Sequence, residues 1–103
     1  MKILSFNCGG LANLAKKSSL SRMVEAIGLD IIFLQETLGM KDEIVDLLSN
    51  LFLGCLFIAS NVKGRSRGLA IGWSSKRVKM TNCWGMENVL GLEATSKELG
   101  RDL

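Results

Sequence analysis

The chain has 103 residues, a net charge of +3 and no histidine. That length suits one domain rather than two, and an apolar fraction of 48% with a mean hydropathy of +0.26 supplies a core that a disordered segment lacks. The missing histidine excludes Ser-His-Asp and Cys-His nucleophile activation, histidine-ligated metals and the usual general base near neutral pH, so any catalysis rests on carboxylates, amides, lysines or a hard metal ion.

Residues 1–6 form a short apolar run ending in Asn7-Cys8-Gly9-Gly10, which predicts a buried strand entering a tight loop. Leu20, Met23, Val24 and Ile27 fit one helix face over 18–27, with Ser18 or Ser19 as N-cap and Gly28 as the C-terminal cap. Residues 31–34 are continuously apolar. After a helix this predicts a strand buried on both faces, hence a β-α-β unit with a parallel strand pair. A second helix is predicted from Ile44, Leu47, Leu48, Leu51 and Phe52 on one stripe, with Asp42 and Glu43 in its first turn. Beyond it, residues 55–59, 68–73, 78–84 and 89–94 read as a meander of short antiparallel strands separated by turn-rich stretches.

The expected fold is therefore α/β: the N-terminal half of a two-layer α/β sandwich, a β-α-β start followed by antiparallel strands, and incomplete. A sheet left in that state has a raw edge and exposed apolar surface, through which the chain is expected to self-associate. Cys8, Cys55 and Cys83 are widely spaced, with no Cys-x-x-Cys, so reduced and mostly packed thiols are expected. The apolar start is too short for a signal peptide and residues 51–59 are too short to span a bilayer. The expectation is an intracellular protein with no membrane association, nuclear and cytoplasmic locations being equally compatible.

In α/β sheets, ligands gather outside the carboxyl ends of the parallel strands. Here those ends carry Asn7 and Gln35-Glu36. Glu36 offers a hard oxygen ligand for Mg²⁺, and Asn7 an amide that can hold a neighbouring ligand or donate to a phosphate oxygen. The plainer alternative is a strand-end glutamate facing solvent and an asparagine making an Asx-turn with the glycines after it.

The block Lys2-Ile3-Leu4-Ser5-Phe6-Asn7-Cys8-Gly9-Gly10-Leu11 resembles the opening of the endonuclease/exonuclease/phosphatase family. Asp30-Ile31-Ile32-Phe33-Leu34-Gln35-Glu36-Thr37 resembles its second strand with the metal-binding glutamate. Gly64-Arg65-Ser66-Arg67-Gly68-Leu69-Ala70-Ile71 and Val89-Leu90-Gly91-Leu92-Glu93 are similar to the next family blocks. Residues 1–103 are thus identified as a partial domain of that family, nearest in flavour to the endonuclease domain of LINE-type retrotransposons.

The resemblance implies that Glu36 binds a catalytic Mg²⁺ or Mn²⁺ and that Asn7 helps position the metal and the scissile phosphate, with in-line attack of water on a phosphodiester or phosphomonoester. It also implies a later Asp-x-Asn block, a terminal Asp-His pair and a tyrosine, none of which occurs in this sequence. The expectation is a truncated metal-dependent phosphodiesterase domain, endonuclease-like and inactive by itself. The alternative is a non-catalytic module that binds DNA, RNA or a protein. Two positions depart from the family pattern: Gly9, where LINE-type members often have a basic residue, and Arg67, where glycine is common.

Lys63, Arg65 and Arg67 form a basic loop that can steer a phosphate backbone, and Lys76, Arg77 and Lys79 form another; a solvated edge is the favoured explanation of both, because isolated charge clusters in turns are ordinary. Trp73 and Trp84 each end an apolar run and are expected in the core rather than on a base-stacking surface. Cys8 adjoins the site without a partner base, which marks it as a packing residue.

Overall fold

The computed structural model describes residues 1–10, 22, 25–61, 67–86 and 89–97. In chain order the elements are β1 (Ile3–Asn7), β2 (Ile31–Gln35), α1 (Lys41–Leu51), β3 (Cys55–Ala59), β4 (Leu69–Ser74), β5 (Val78–Met86) and β6 (Val89–Ser96). β1 and β2 pair in parallel from Ile3↔Ile31 to Asn7↔Gln35, as the β-α-β reading requires. Residues 25–27 between them are helical, and Gly28 follows at φ 71°, the left-handed geometry expected of a terminal glycine. Leu20, Met23 and Val24 of the predicted helix lie outside the described residues. Ile27, expected on the buried stripe, is exposed instead.

The strands after α1 do not form the expected simple meander. β4 pairs antiparallel with both β2 and β3, giving a four-stranded sheet of order β1-β2-β4-β3. The reason is burial. Ala70, Ile71, Gly72 and Trp73 are all buried, and only an inner strand shields both faces of such a run. β3, with Leu56 exposed, takes the edge. Both edges of β4 are then occupied, so β5 cannot pair with it after the turn at 75–77. It pairs with β6 as a separate antiparallel hairpin, with a register irregularity between Met80 and Asn82.

Successive residues of the inner strands point to opposite faces, and each face has its own cover. On one side Ile32, Leu34, Phe57 and Ala70 pack with Ile44, Leu48 and Phe52 from α1 and its C-terminal turn. On the other, Ile31, Ile71 and Trp73 pack with Val78, against which Met80, Leu90 and Leu92 of the hairpin close. Ile44 and Leu48 are fully buried, each contributing about 1.5–3 kcal/mol by removal from water. Asp42 and Glu43 sit in the first turn of α1, where they favour the helix dipole. The first turn's backbone is capped from a distance: the Lys41 N–H donates to Asn61 Oδ1 at 2.6 Å.

Trp73 lies in the core as expected, but Trp84 does not: it is 46% exposed. It stands opposite Gly91 in the hairpin, with its indole lying over that glycine. The hairpin runs beyond the sheet it covers, and residues 81–85 are all exposed. Among the described residues, the outer edge of β1 has no strand partner, and no helix is long and apolar enough to cross a membrane.

Candidate active site

The parallel register brings Asn7 and Gln35 side by side at the carboxyl ends of β1 and β2, with Glu36 the next residue. The segments beyond the strands are tied together through their backbones. The Cys8 N–H donates to the Gln35 carbonyl and the Gly10 N–H to the Glu36 carbonyl, each at 2.9 Å. From the opposite side of β2, the Gly68 carbonyl accepts from the Thr37 N–H at 3.3 Å and the Arg67 carbonyl from the Leu38 N–H at 2.8 Å. Residues 36–38 are therefore clamped between the loop after β1 and the segment leading into β4.

That clamp holds an uncommon backbone. Glu36 and Leu38 have φ of 55° and 54°, in the left-handed region that costs a non-glycine residue about 1–2 kcal/mol. Such conformations persist where surrounding contacts over-determine them, and they cluster at functional sites. The result turns the Glu36 carboxylate off the end of the sheet, where its side chain is 32% exposed and Oε1 lies 3.3 Å from Arg67 Nη1. Arg67 is thus brought onto Glu36. Lys63 and Arg65 lie outside the described residues.

Asn7 is exposed, and its Oδ1 accepts from the Gly9 N–H at 3.0 Å, the Asx-turn that is the plainer alternative for this position. Cys8 is buried, with Sγ 3.1 Å from the Gln35 carbonyl, and so packs beneath the site. Thr37 is the residue that reading by residue type does not single out. It is wholly buried, and its hydroxyl has no hydrogen-bond partner among the described residues. Gly68, at φ 90°, leaves space against that hydroxyl which a Cβ would fill. Only the left-handed φ at Gly68 and the tight contact reveal the pairing; the amino-acid types carry no signal of it.

Glu36 and Asn7 are hard oxygen donors of the kind Mg²⁺ and Mn²⁺ favour, and Mg²⁺ is commonly held by one or two carboxylates with water and phosphate oxygens completing its shell. The residues present fit such an ion as a partial set. No group of three or more His, Cys, Asp or Glu side chains converges among the described residues.

The model of the endonuclease/exonuclease/phosphatase family matches residues 4–89, a span that contains Asn7, Glu36 and Arg67. The chain belongs to that family. Members of the endonuclease/exonuclease/phosphatase family generally use a divalent metal. No curated protein matches the sequence. Among solved structures, a humanized D. rerio TDP2 carrying 14 mutations superposes with a TM-score of 0.67 at 22% identity, over 92% of this chain and 42% of that one. A family protein from Bacteroides thetaiotaomicron superposes with a TM-score of 0.65 at 14% identity, over 95% of this chain and 44% of that one. At those identities the likeness establishes the α/β fold. The chain spans less than half the length of either solved structure.

Proposed function

We propose that this chain forms the Glu36-bearing part of a metal-dependent phosphodiesterase site, endonuclease-like in substrate, and that it does not turn over substrate by itself. The observation that carries the reading is Glu36 at the carboxyl end of a parallel strand pair, on a clamped left-handed turn beside Asn7 and Arg67. In this reading Glu36 holds Mg²⁺ or Mn²⁺, with Asn7 beside it as a second oxygen donor. When bound, such an ion stabilises charge on the phosphoryl oxygens of a DNA or RNA phosphodiester and orients it for in-line attack by water. Arg67, whose guanidinium is planar and permanently charged, donates to phosphate oxygens. In the absence of substrate it rests on Glu36.

Among the described residues one carboxylate stands at this point, and the sequence contains no histidine or tyrosine and no Asp-x-Asn. No group here takes a proton from the attacking water, which is why turnover is not expected. A LINE-type endonuclease lineage is part of the proposal and rests on the strand-end sequence blocks. An intracellular location, read from the widely spaced cysteines, and self-association through the outer edge of β1 are also part of the proposal, the latter supported by an edge that lacks a partner among the described residues.

The test is Mn²⁺ binding by electron paramagnetic resonance alongside plasmid nicking. Weak, saturable Mn²⁺ binding lost in Glu36→Gln, with no nicking by either protein, is expected. Binding that survives Glu36→Gln would refute the ligand assignment, and robust Mg²⁺-dependent nicking would refute the inactivity.

A further inference from the structure

The opposite end of the sheet carries a second charged feature that this function does not use. Met1, Lys2 and Asp30 precede β1 and β2, and Ser74 closes β4 beside Asp30, its N–H donating to the Asp30 carbonyl at 2.9 Å. Strand length places this end roughly 20 Å from Glu36, taking about 3.3 Å per residue. The turn at 75–77 and the end of β6 meet here, with the Lys97 N–H donating to the Arg77 carbonyl at 2.9 Å. Between them lies an open cleft of about 620 Å³ whose lining includes Lys2, Asp30, Lys76, Arg77, Ser96 and Lys97.

Four cationic side chains from three separate stretches of sequence thus line one cleft, with Asp30 the one lining carboxylate among the described residues. Lys2 Nζ donates to the Ile27 carbonyl at 2.9 Å and Lys97 Nζ to the Ser75 carbonyl at 2.6 Å. Each ammonium is thereby positioned while keeping two further donors. Asp30 Oδ2 is engaged by the Lys2 backbone N–H at 2.7 Å. None of the four cations takes part in an ion pair among the described residues. The Arg77 guanidinium lies against Gly28, where a Cβ would come within 2.9 Å of Nη2. With Lys76 it also lines a neighbouring cleft of about 340 Å³, so these two side chains form the ridge between two depressions. Like charges gathered this way repel unless an anion joins them. Among the described residues no aromatic side chain lines the larger cleft, so they offer nothing on which a base could stack.

We propose that this cleft is an anion site for the phosphate groups of a small oligophosphate, separate from the Glu36 site. Lys2, Lys76, Arg77 and Lys97 supply the donors, and recognition is indifferent to any attached base. The test is titration of the ¹⁵N-labelled chain with inorganic pyrophosphate, with EDTA present so that no metal at Glu36 contributes, against sodium chloride matched in ionic strength. Saturable shifts at the amides of Gly28, Lys76, Arg77 and Lys97 are expected with pyrophosphate and not with chloride. Arg77→Gln and Lys97→Gln should each weaken binding roughly tenfold, the loss of about one charge-assisted hydrogen bond. Lys79→Gln, on β5 outside the cleft, should change nothing, and the spectra report the fold of every variant. A parallel titration with ADP should give the same affinity as pyrophosphate. Shifts that chloride reproduces, affinities unaltered by Arg77→Gln and Lys97→Gln, or much tighter binding of ADP would overturn the proposal.

Discussion

Thr37 offers the most direct test of how the candidate site is built. Its side chain is fully buried, and its hydroxyl is the one buried side-chain oxygen without a partner among the described residues. A hydroxyl removed from water with no hydrogen bond in return costs about 1–3 kcal/mol. Valine has nearly the same shape and replaces the hydroxyl with a methyl, so Thr37→Val should remove that penalty without opening a cavity. The expected outcome is a gain of about 1–3 kcal/mol in urea unfolding followed by tryptophan fluorescence. The melting temperature should rise roughly 4–8 °C for each kcal/mol. Thr37→Ser, which keeps the hydroxyl and deletes one buried methyl, should lose about 0.5–1.5 kcal/mol. If Thr37→Val were destabilised while Thr37→Ser held its stability, the hydroxyl would have to be hydrogen-bonded in solution and the reasoning would fail.

The remaining predictions concern the same end of the sheet and the thiols. Gly68→Ala places a Cβ against the Thr37 hydroxyl at a left-handed φ; strain and overpacking together should cost about 2–5 kcal/mol by denaturant unfolding, and a neutral result would contradict the contact. Arg67→Ala removes the cation resting on Glu36 in a solvent-screened pair; with such pairs worth about 0.2–1 kcal/mol, Mn²⁺ should bind about 1.4- to 5-fold more tightly, and unchanged or weaker binding would count against Glu36 as ligand. Cys83 is exposed, Cys55 half-buried and Cys8 buried, so alkylation monitored by mass spectrometry should proceed in that order. Burial pushes the Cys55 thiol up, so the unfolded chain ionises first; its effect is absent below the ordinary thiol range and lowers stability as pH rises through it, which urea unfolding at a series of alkaline pH values checks.

The parts of the fold legible in the amino-acid sequence are those whose signal is local. The continuous apolar run at 31–34 announces a strand buried on both faces, and β2 is that strand. The stripe Ile44, Leu48 and Phe52 announces α1, and the parallel pairing sets Asn7 opposite Gln35, one residue before Glu36. What local pattern does not supply is the partner choice of β4. A meander and the observed order β1-β2-β4-β3 have the same alternation of strands and turns, and they differ only in which run is buried deeply enough to need two neighbours. The exposure of Trp84 escapes the sequence for a related reason. An apolar residue at the end of a strand run is core only if the sheet it covers extends that far, and here the hairpin outruns it. Sequence alone marks Arg67 as a loop cation suited to a phosphate backbone, while its contact with Glu36 depends on the segment before β4 lying beside the end of β2.

The position of Glu36 follows from three segments distant in sequence. Its strained backbone is held on one side by residues 8–10 and on the other by residues 67–68, through four main-chain hydrogen bonds to residues 35–38. Because main-chain groups make those bonds, many side chains could satisfy them. Gly68 is different, since its φ and its contact with Thr37 both require the absence of a Cβ. A carboxylate meant to meet an ion must hold its place within a fraction of an ångström to act, and supporting contacts provide that precision. The short block Gln35-Glu36-Thr37 therefore names the proposed donor, whereas the loop after β1 and the approach to β4 set where it stands. Substitutions at Gly68 or Thr37 should consequently alter metal affinity at Glu36 without touching the ion, an effect that the family block around Glu36 by itself would never suggest.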